Sequence, residues 1–354
     1  MPNTEPYLLS VVTPFHNVDM KLFEKCCQSL RDQTFGFENI EWVIVVHNSE
    51  GSYLKAVQEL VGDFPNVKVY ELHNTEYTPS SPRNYALERM TGAYVGFLDG
   101  DDRYTTDVCE KAMKHLVETD ADLAVFRFET ESDDPERMVI RPYVLVDQTQ
   151  EVILVEHDTW DSRTFIYGAG LNVTAKIYRK RFLDDIGVRF DVEVPFAEDN
   201  LFNMSCFGKA KKICFLPQLI GYIYFLNDGS MVQSFNKSTD EVLRYARGIT
   251  KIFDHSLANG LYMNNVMWDL LGYQSAIMLA SQDLDYATRK EIKGMLEQYL
   301  QMLEPIDVSK LYSKQMIKLI MSLPKLVLGH PRLMQGFAKV TKTLGIDLAS
   351  KIKV

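Results

Sequence analysis

The stretch Asp99-Gly100-Asp101-Asp102 stands directly behind the apolar run Gly92-Ala93-Tyr94-Val95-Gly96-Phe97-Leu98. A run of that length and β-type composition predicts a strand buried in a sheet. The acids then fall at its carboxyl end, where open α/β sheets hold their ligands. Carboxylates at i and i+2, turned outward by a glycine-containing bend, are hard oxygen ligands suited to Mg2+ or Mn2+ carrying a phosphate ester. The same residues also suit a solvated turn capping a helix that begins near Tyr104, and alone they do not choose between the two. A second acidic group, Ala197-Glu198-Asp199, opens another expected helix, where acids are favoured by the helix dipole whether or not they do chemistry.

The elements that must position these groups alternate regularly. Strands are expected over 7–13, 41–46, 67–72, 92–98 and 122–128, with helices between them over 22–33, 52–61, from Pro82 onward, and over 105–119. Pro82 suits a first helical turn. This βαβαβ alternation implies parallel strands, right-handed crossovers and helices on both faces. The loops 14–17, 47–52, 73–83 and 99–102 then share one rim. Farther on, 129–137 reads as an exposed acidic loop, 139–156 as a hairpin, and 171–178 as a strand. A short helix, a helix opened by 197–199 and running to about 207, and strands over 212–215 and 219–226 complete this half. After 237 the pattern is helical, with breaks near Gly260, Asp283, Pro305, Pro324 and Pro331. Two domains are expected, 1–236 and 237–354.

Composition narrows the function. At 354 residues, 46% hydrophobic and 24% charged, the chain is of ordinary globular make-up. Its net charge of −10 argues against general nucleic-acid binding. From residue 309 onward, however, nine basic residues face one acid, Asp347, so that this tail is +8 and the rest −18. Such a split suggests an anionic partner surface. The five cysteines form no Cys-x-x-Cys pair and no Cys/His cluster, which fits reduced thiols better than a zinc site. The apolar stretch 7–12 lacks a basic n-region and is too short for a signal peptide, and no run of roughly 18 apolar residues occurs. A cytoplasmic location is therefore expected. No Gly-x4-Gly-Lys-Ser/Thr loop, dinucleotide fingerprint or Gly-x-Ser-x-Gly elbow appears.

Five segments in order carry a family resemblance: Ser10-Val11-Val12-Thr13-Pro14-Phe15-His16-Asn17, Ser29-Leu30-Arg31-Asp32-Gln33-Thr34, Ser81-Pro82-Arg83-Asn84-Tyr85-Ala86-Leu87, the strand ending in Asp99-Gly100-Asp101-Asp102, and Ala197-Glu198-Asp199. Over roughly residues 7–235 the chain resembles the family-2 inverting glycosyltransferases of GT-A fold. It is most similar to bacterial enzymes that decorate wall teichoic acid or build capsular polysaccharide. The resemblance implies a doubly wound, mostly parallel sheet with a Rossmann-like nucleotide-binding half and a small mixed sheet, followed by a C-terminal helical region.

The resemblance also implies roles. Asp101 would coordinate a Mg2+ or Mn2+ ion on the sugar-nucleotide diphosphate, and Asp99 would contact the ribose or the metal shell. Asp199 would be the base that deprotonates the attacking acceptor hydroxyl. Arg83 would meet the uracil or the diphosphate, while Pro14 and Asn17 would form the nucleotide-binding turn. Ser230 would close over the diphosphate, and Lys176 and Glu198 would lie near the acceptor.

One departure from the pattern concerns the nucleotide. Where the family usually has Val-Asp-Asp-Gly-Ser after strand two, this chain has Val46-His47-Asn48-Ser49, so that a neutral amide, Asn48, replaces a carboxylate that would accept the uracil imide proton. The arginine often found before the Gly-Ser loop is absent too, with Leu226 and Asn227 in its place.

The sequence therefore leads to an inverting, metal-dependent enzyme that transfers sugar from a nucleotide donor, by resemblance a UDP-sugar, to a glycan, lipid-linked or polyanionic polymer acceptor. The amphipathic segment 316–328 suits an anionic membrane surface, a packed helix with snorkelling lysines, or a homo-oligomer contact. Two rivals are a nucleotidyltransferase, whose glycine-rich basic loop is missing after strand one, and a catalytically degenerate sugar-nucleotide-binding subunit.

Overall fold

Strand β1 (Leu9–Phe15) pairs in parallel with β2 (Ile40–His47) on one side and β4 (Tyr94–Phe97) on the other, and β2 pairs in parallel with β3 (Val67–Leu72). These belong to a computed structural model that describes residues 8–76, 78–133, 149–156, 172–194 and 198–226, together with isolated positions between 248 and 294. Contacts divide the chain into two compact units, Met1–Gln233 and Ser234–Val354, and every element named below lies in the first. The basic tail, the segment 316–328 and Ser230 lie outside the described residues.

β1 and β2 are apolar on both faces, as parallel strands covered by helices on each side must be. Leu9, Val11 and Phe15 of β1 join Ile40, Trp42, Ile44 and Val46 of β2 in the main core. There they meet Phe23, Cys26, Cys27 and Leu30 of α1 (Met20–Arg31) and Val57 and Val61 of α2 (Tyr53–Val61). The start of α1 is fixed by Asp19, whose carboxylate accepts from Lys21 N at 2.8 Å. Helix α3 (Ser80–Leu87) packs on β1 and β2 from the other face. It starts two residues before Pro82, which still falls in the first turn, where a missing N–H leaves no bond unmade.

Past β4 the expected alternation breaks. After β5 (Arg103–Tyr104) and α4 (Val108–Thr119), strand β6 (Leu123–Glu131) does not lie beside β4. Strand β8 (Lys176–Arg179) comes between them, antiparallel to both, with Val95 opposite Tyr178 and Ala124 opposite Ile177. Apolar periodicity identifies strands but not their neighbours, so this insertion is not visible in the local pattern. The sheet order is β3-β2-β1-β4-β8-β6-β9-β5, with β7 (Ile153–Glu156) also on β9.

The two strands expected over 212–226 are one, β9 (Lys212–Phe225). Pro217 is accommodated because the register jumps from Phe126↔Leu216 to Arg127↔Ile220, a bulge where no ladder N–H is needed. One flank of β9 pairs with β6, and the other pairs first with β7 and then with β5. β6 runs to Glu131 and so takes the first residues of the expected acidic loop, whereas of the expected hairpin only 149–156 is described. Helices α5 (Lys180–Ile186) and α6 (Glu198–Lys209) follow β8 and precede β9. No helix among the described residues is long and apolar enough to cross a membrane.

Candidate active site

The turn after β4 is built from below. Leu98 N still bonds to Val12 O at 3.0 Å, holding the chain in the sheet for one more residue. Asp102 N then bonds to Asp99 O at 3.1 Å and closes the turn. Asp102 is 2% exposed and accepts from the Tyr222 hydroxyl at 2.5 Å and from Phe225 N at 2.7 Å. Burial, with Asp101 and Asp99 adding their charge, pushes its carboxyl well above the usual range. Tyr222 also accepts from Asp99 N at 3.3 Å. The end of β9 thus braces the turn at two points. The solvated helix cap is not what this turn is: β5 intervenes, and α4 starts at Val108 with Asp107 at its cap. Asp101 is half-buried and lies at a small cleft with Leu22, Lys25 and Arg103.

Above this turn, Arg83 of α3 gathers the other acids. Its Nη2 donates to Asp99 Oδ1 at 2.9 Å and its Nη1 to Glu198 Oε1 at 2.7 Å. The residue is 5% exposed, and its buried Nε has no hydrogen-bond partner among the described residues. Burial opposes its charge, but Asp99 and Glu198 hold the guanidinium firmly protonated. Glu198 pays heavily for its position at the start of α6: burial, then Asp199 beside it, push its carboxyl up to about 7 against the pull of Arg83. Burial raises Asp199 as well, with Arg83 and Lys176 pulling it back and Asp99 adding to the rise. Asp199 is half-buried and accepts from Asn200 N at 2.8 Å.

Lys176 on β8 is fully enclosed. Its Nζ donates to the carbonyls of Asn172 and Thr174 at 2.5 and 3.5 Å and lies over the Phe207 ring. Burial brings its ammonium down to about 7, opposed by Asp199 and Cys206. Its reach toward a ligand is therefore through its charge rather than by contact.

The remaining expected residues form a second group on the rim. Pro14 lies within β1, opposite Val45. Asn17 and Asn48 both adopt left-handed backbone, φ 48 and 46, which asparagine tolerates better than most residues. Asn17 Oδ1 accepts from Glu50 N at 3.0 Å. Asn48 ties the loop after β2 to the loop after β3: its Oδ1 accepts from Asn74 N at 3.0 Å and its Nδ2 donates to Glu76 O at 2.9 Å. His47 Nε2 reaches Asn74 Oδ1 at 2.9 Å, and burial lowers the pKa of its ring. Sequence reasoning missed Asn84, Phe190 and Tyr222. Asn84 sits inside a motif it singled out, but its partner is 106 residues away.

A parallel sheet with an antiparallel strand inserted beside β4, and with carboxylates gathered at the end of that strand, is the α/β architecture of GT-A glycosyltransferases. Residues 10–183 match the family described as Glycosyl transferase family 2, and the chain carries a glycosyltransferase domain of that family. The uncharacterized glycosyltransferase EpsJ of Bacillus subtilis (strain 168) is 25% identical over 303 residues, 83% of each chain. The poly(ribitol-phosphate) beta-N-acetylglucosaminyltransferase TarS of Staphylococcus aureus (strain Mu50) is 27% identical over 67% of this chain, which spans only 39% of TarS. The crystal structure of S. aureus TarS 1-349 in complex with UDP-GlcNAc superposes with a TM-score of 0.64 at 23% identity, covering 83% of this chain and 80% of that one. A mannosyltransferase from Pyrobaculum calidifontis, in complex with GDP-Man and Mn2+, gives 0.51 at 14% identity.

Proposed function

We propose that the protein transfers a sugar, with inversion, from a UDP-sugar to the hydroxyl of a surface glycan or teichoic-acid-type polymer, on the cytoplasmic side of a bacterial membrane. The observation that carries the reading is the meeting of three carboxylates from distant parts of the chain, Asp99, Glu198 and Asp199, around one buried arginine at the carboxyl rim of the parallel strands. Asp199 acts as general base. Its raised pKa brings it nearer to the operating pH, which favours proton transfer from the acceptor hydroxyl as that oxygen attacks C1. A single displacement opposite the departing diphosphate requires one such base and no protein nucleophile.

Asp101 and Asp99 fit a divalent cation. Mg2+ and Mn2+ are commonly held by one or two carboxylates and take their other ligands from phosphates and water. Among the described residues no three side chains form a ready-made metal cage. When bound, the ion supplies charge neutralisation at the leaving diphosphate. Pro14, Asn17 and Asn48 frame the base and ribose, and Ser230 closes over the diphosphate. Asn48 has both ends of its amide engaged in bridging two loops, so it shapes the base pocket more than it reads the base. The UDP-GlcNAc bound by TarS and its polymer acceptor support the choice of donor and acceptor class. The basic tail after residue 309, nine basic residues against one acid, gives the protein a partner in an anionic membrane or polymer.

The test is titration of the purified protein with UDP, GDP and CDP, with and without Mn2+, in wild type and Asp101→Asn. Manganese-dependent binding of UDP, lost in the variant, supports the reading. Binding of none of the three returns the degenerate subunit, and preference for GDP or CDP overturns the uridine assignment.

A further inference from the structure

Helix α3 is joined to the start of α6 by more than the Arg83–Glu198 pair. Asn84 clamps the backbone of Phe190, with Nδ2 donating to Phe190 O at 2.8 Å and Oδ1 accepting from Phe190 N at 2.9 Å. Ser80 Oγ donates to Asp191 O at 3.0 Å. The Phe190 ring in turn stacks on Phe202 of α6, 4.1 Å between centroids and 6° between planes, and lies 5.4 Å beneath the Arg83 guanidinium. Ser80, Arg83 and Asn84 thus hold the segment before α6, its first residue and one of its rings. The same arginine holds Asp99, in the turn that follows β4.

From this geometry we infer that Arg83 is a positioning residue: it locks the base-bearing end of α6 to the donor-side turn, so that Asp199 is placed and kept ionised by the group that also holds Asp99. The inference rests on the glycosyltransferase reading and deepens it. A direct contact between Arg83 and the donor is the competing role. It has little support in the geometry, because each terminal nitrogen already holds a protein carboxylate, Nε is buried, and the side chain is nearly enclosed. The groups facing Arg83 are Asp99 from the β4 turn and Glu198 and Asp199 from α6, with the Lys176 charge acting on Asp199 from β8. Arg83 is thus one of two cations set against three acids. Removing it raises the pKa of Asp199, and because the base must be deprotonated, the rising limb of the rate profile moves to higher pH.

The experiment uses the full chain as wild type, Arg83→Gln and Arg83→Lys. Three quantities are read: Kd for UDP with Mn2+, kcat against pH, and hydrogen exchange at the backbone amides of α6. Arg83→Gln is expected to lower kcat by at least a hundredfold, to weaken UDP by no more than about fivefold, to shift the rising limb upward, and to speed exchange in the first turns of α6. Arg83→Lys, which keeps the charge but not the fork, restores the position of the limb and only part of kcat. UDP affinity falling as far as kcat, with the limb unmoved, makes Arg83 a donor contact and overturns the inference. So does unchanged exchange in α6. If Arg83→Gln does not fold, Arg83→Lys decides by the same ratio of kcat loss to affinity loss. Wild type that binds no nucleotide diphosphate sinks the glycosyltransferase reading itself, whereas binding wild type with an affinity-deficient variant sinks only the positioning role.

Discussion

The parallel strands carry a buried carboxylate network at each end, and the two are built on opposite plans. At the amino end, Glu41 of β2 is fully enclosed and accepts from Ser10 Oγ of β1, from Thr91 N and Oγ1 at 2.6 and 3.0 Å, from Gly92 N at 3.3 Å and from the Lys68 ammonium of β3. Burial alone would raise its pKa, but Lys68 and the hydroxyl and amide donors outweigh it and hold the carboxyl below the usual range. At the carboxyl end, Glu198, Asp199 and Asp102 all sit above that range, because burial and mutual repulsion exceed what their donors return. One end ties four chain segments together with a satisfied ion. The other keeps charge in an environment that disfavours it, which is where a base and a metal ligand are useful.

If this contrast is right, changes at the two ends separate function from stability. The largest effect is expected at Asp199→Asn. Turnover should fall by about 10²–10⁴-fold, the range for a lost general base, with no fall in the thermal midpoint, since a destabilised carboxylate has been removed. A drop in midpoint with activity retained would make Asp199 a structural acid. Next is Glu41→Ala, which should lower unfolding free energy by about 3–5 kcal/mol in urea titration while leaving UDP affinity unchanged. The folded-state pKa of Glu41 is lowered, so its contribution is present above the unfolded value near 4.3 and is lost as pH falls through the folded one. The wild type should therefore lose this advantage over the variant in acid.

Glu198→Gln sharpens the comparison from the other side. With a folded pKa near 7 and an unfolded value near 4.3, the wild-type charge opposes folding fully above pH 7 and not at all below the unfolded value. The variant should then be the more stable protein at pH 8, with the difference shrinking toward pH 4. Equal stability at both pH values would show that Arg83 fully compensates Glu198. The smallest effect is expected at Glu59→Ala, which breaks an exposed pair with Lys55 and should change stability by less than about 0.5 kcal/mol.

The positions of β1 to β4, the helices between them and the turn at Asp99 were legible because apolar runs and Pro82 mark them locally, although β1 runs through Pro14 to Phe15 rather than ending before it. The pairing was not. β8 enters beside β4 from eighty residues away, and nothing in Lys176-Ile177-Tyr178-Arg179 names its neighbours. The same distance hid the site's organisation: Arg83 stands in a motif that attracts notice, but that it holds Glu198 is a fact of tertiary structure. Asp102 looked like one more acid in a turn, and only Tyr222 and Phe225, 120 and 123 residues later, turn it into a brace. Glu41 gave no signal beyond opening a strand, since its partners are scattered over β1, β3 and the approach to β4.

The placement of β9 carries a consequence for the order in which the protein forms. Its partners begin at residues 103, 123 and 153, so its closure spans contacts of high sequence separation, whereas β1 to β4 assemble through successive short crossovers. During synthesis, a chain that has reached β4 already has its satisfied lower network, but the Asp99 turn lacks its brace until residues 222–225 emerge. The chemistry-bearing end of the sheet is the last to become rigid, and a chain released before β9 is complete would be a folded scaffold with an unassembled centre.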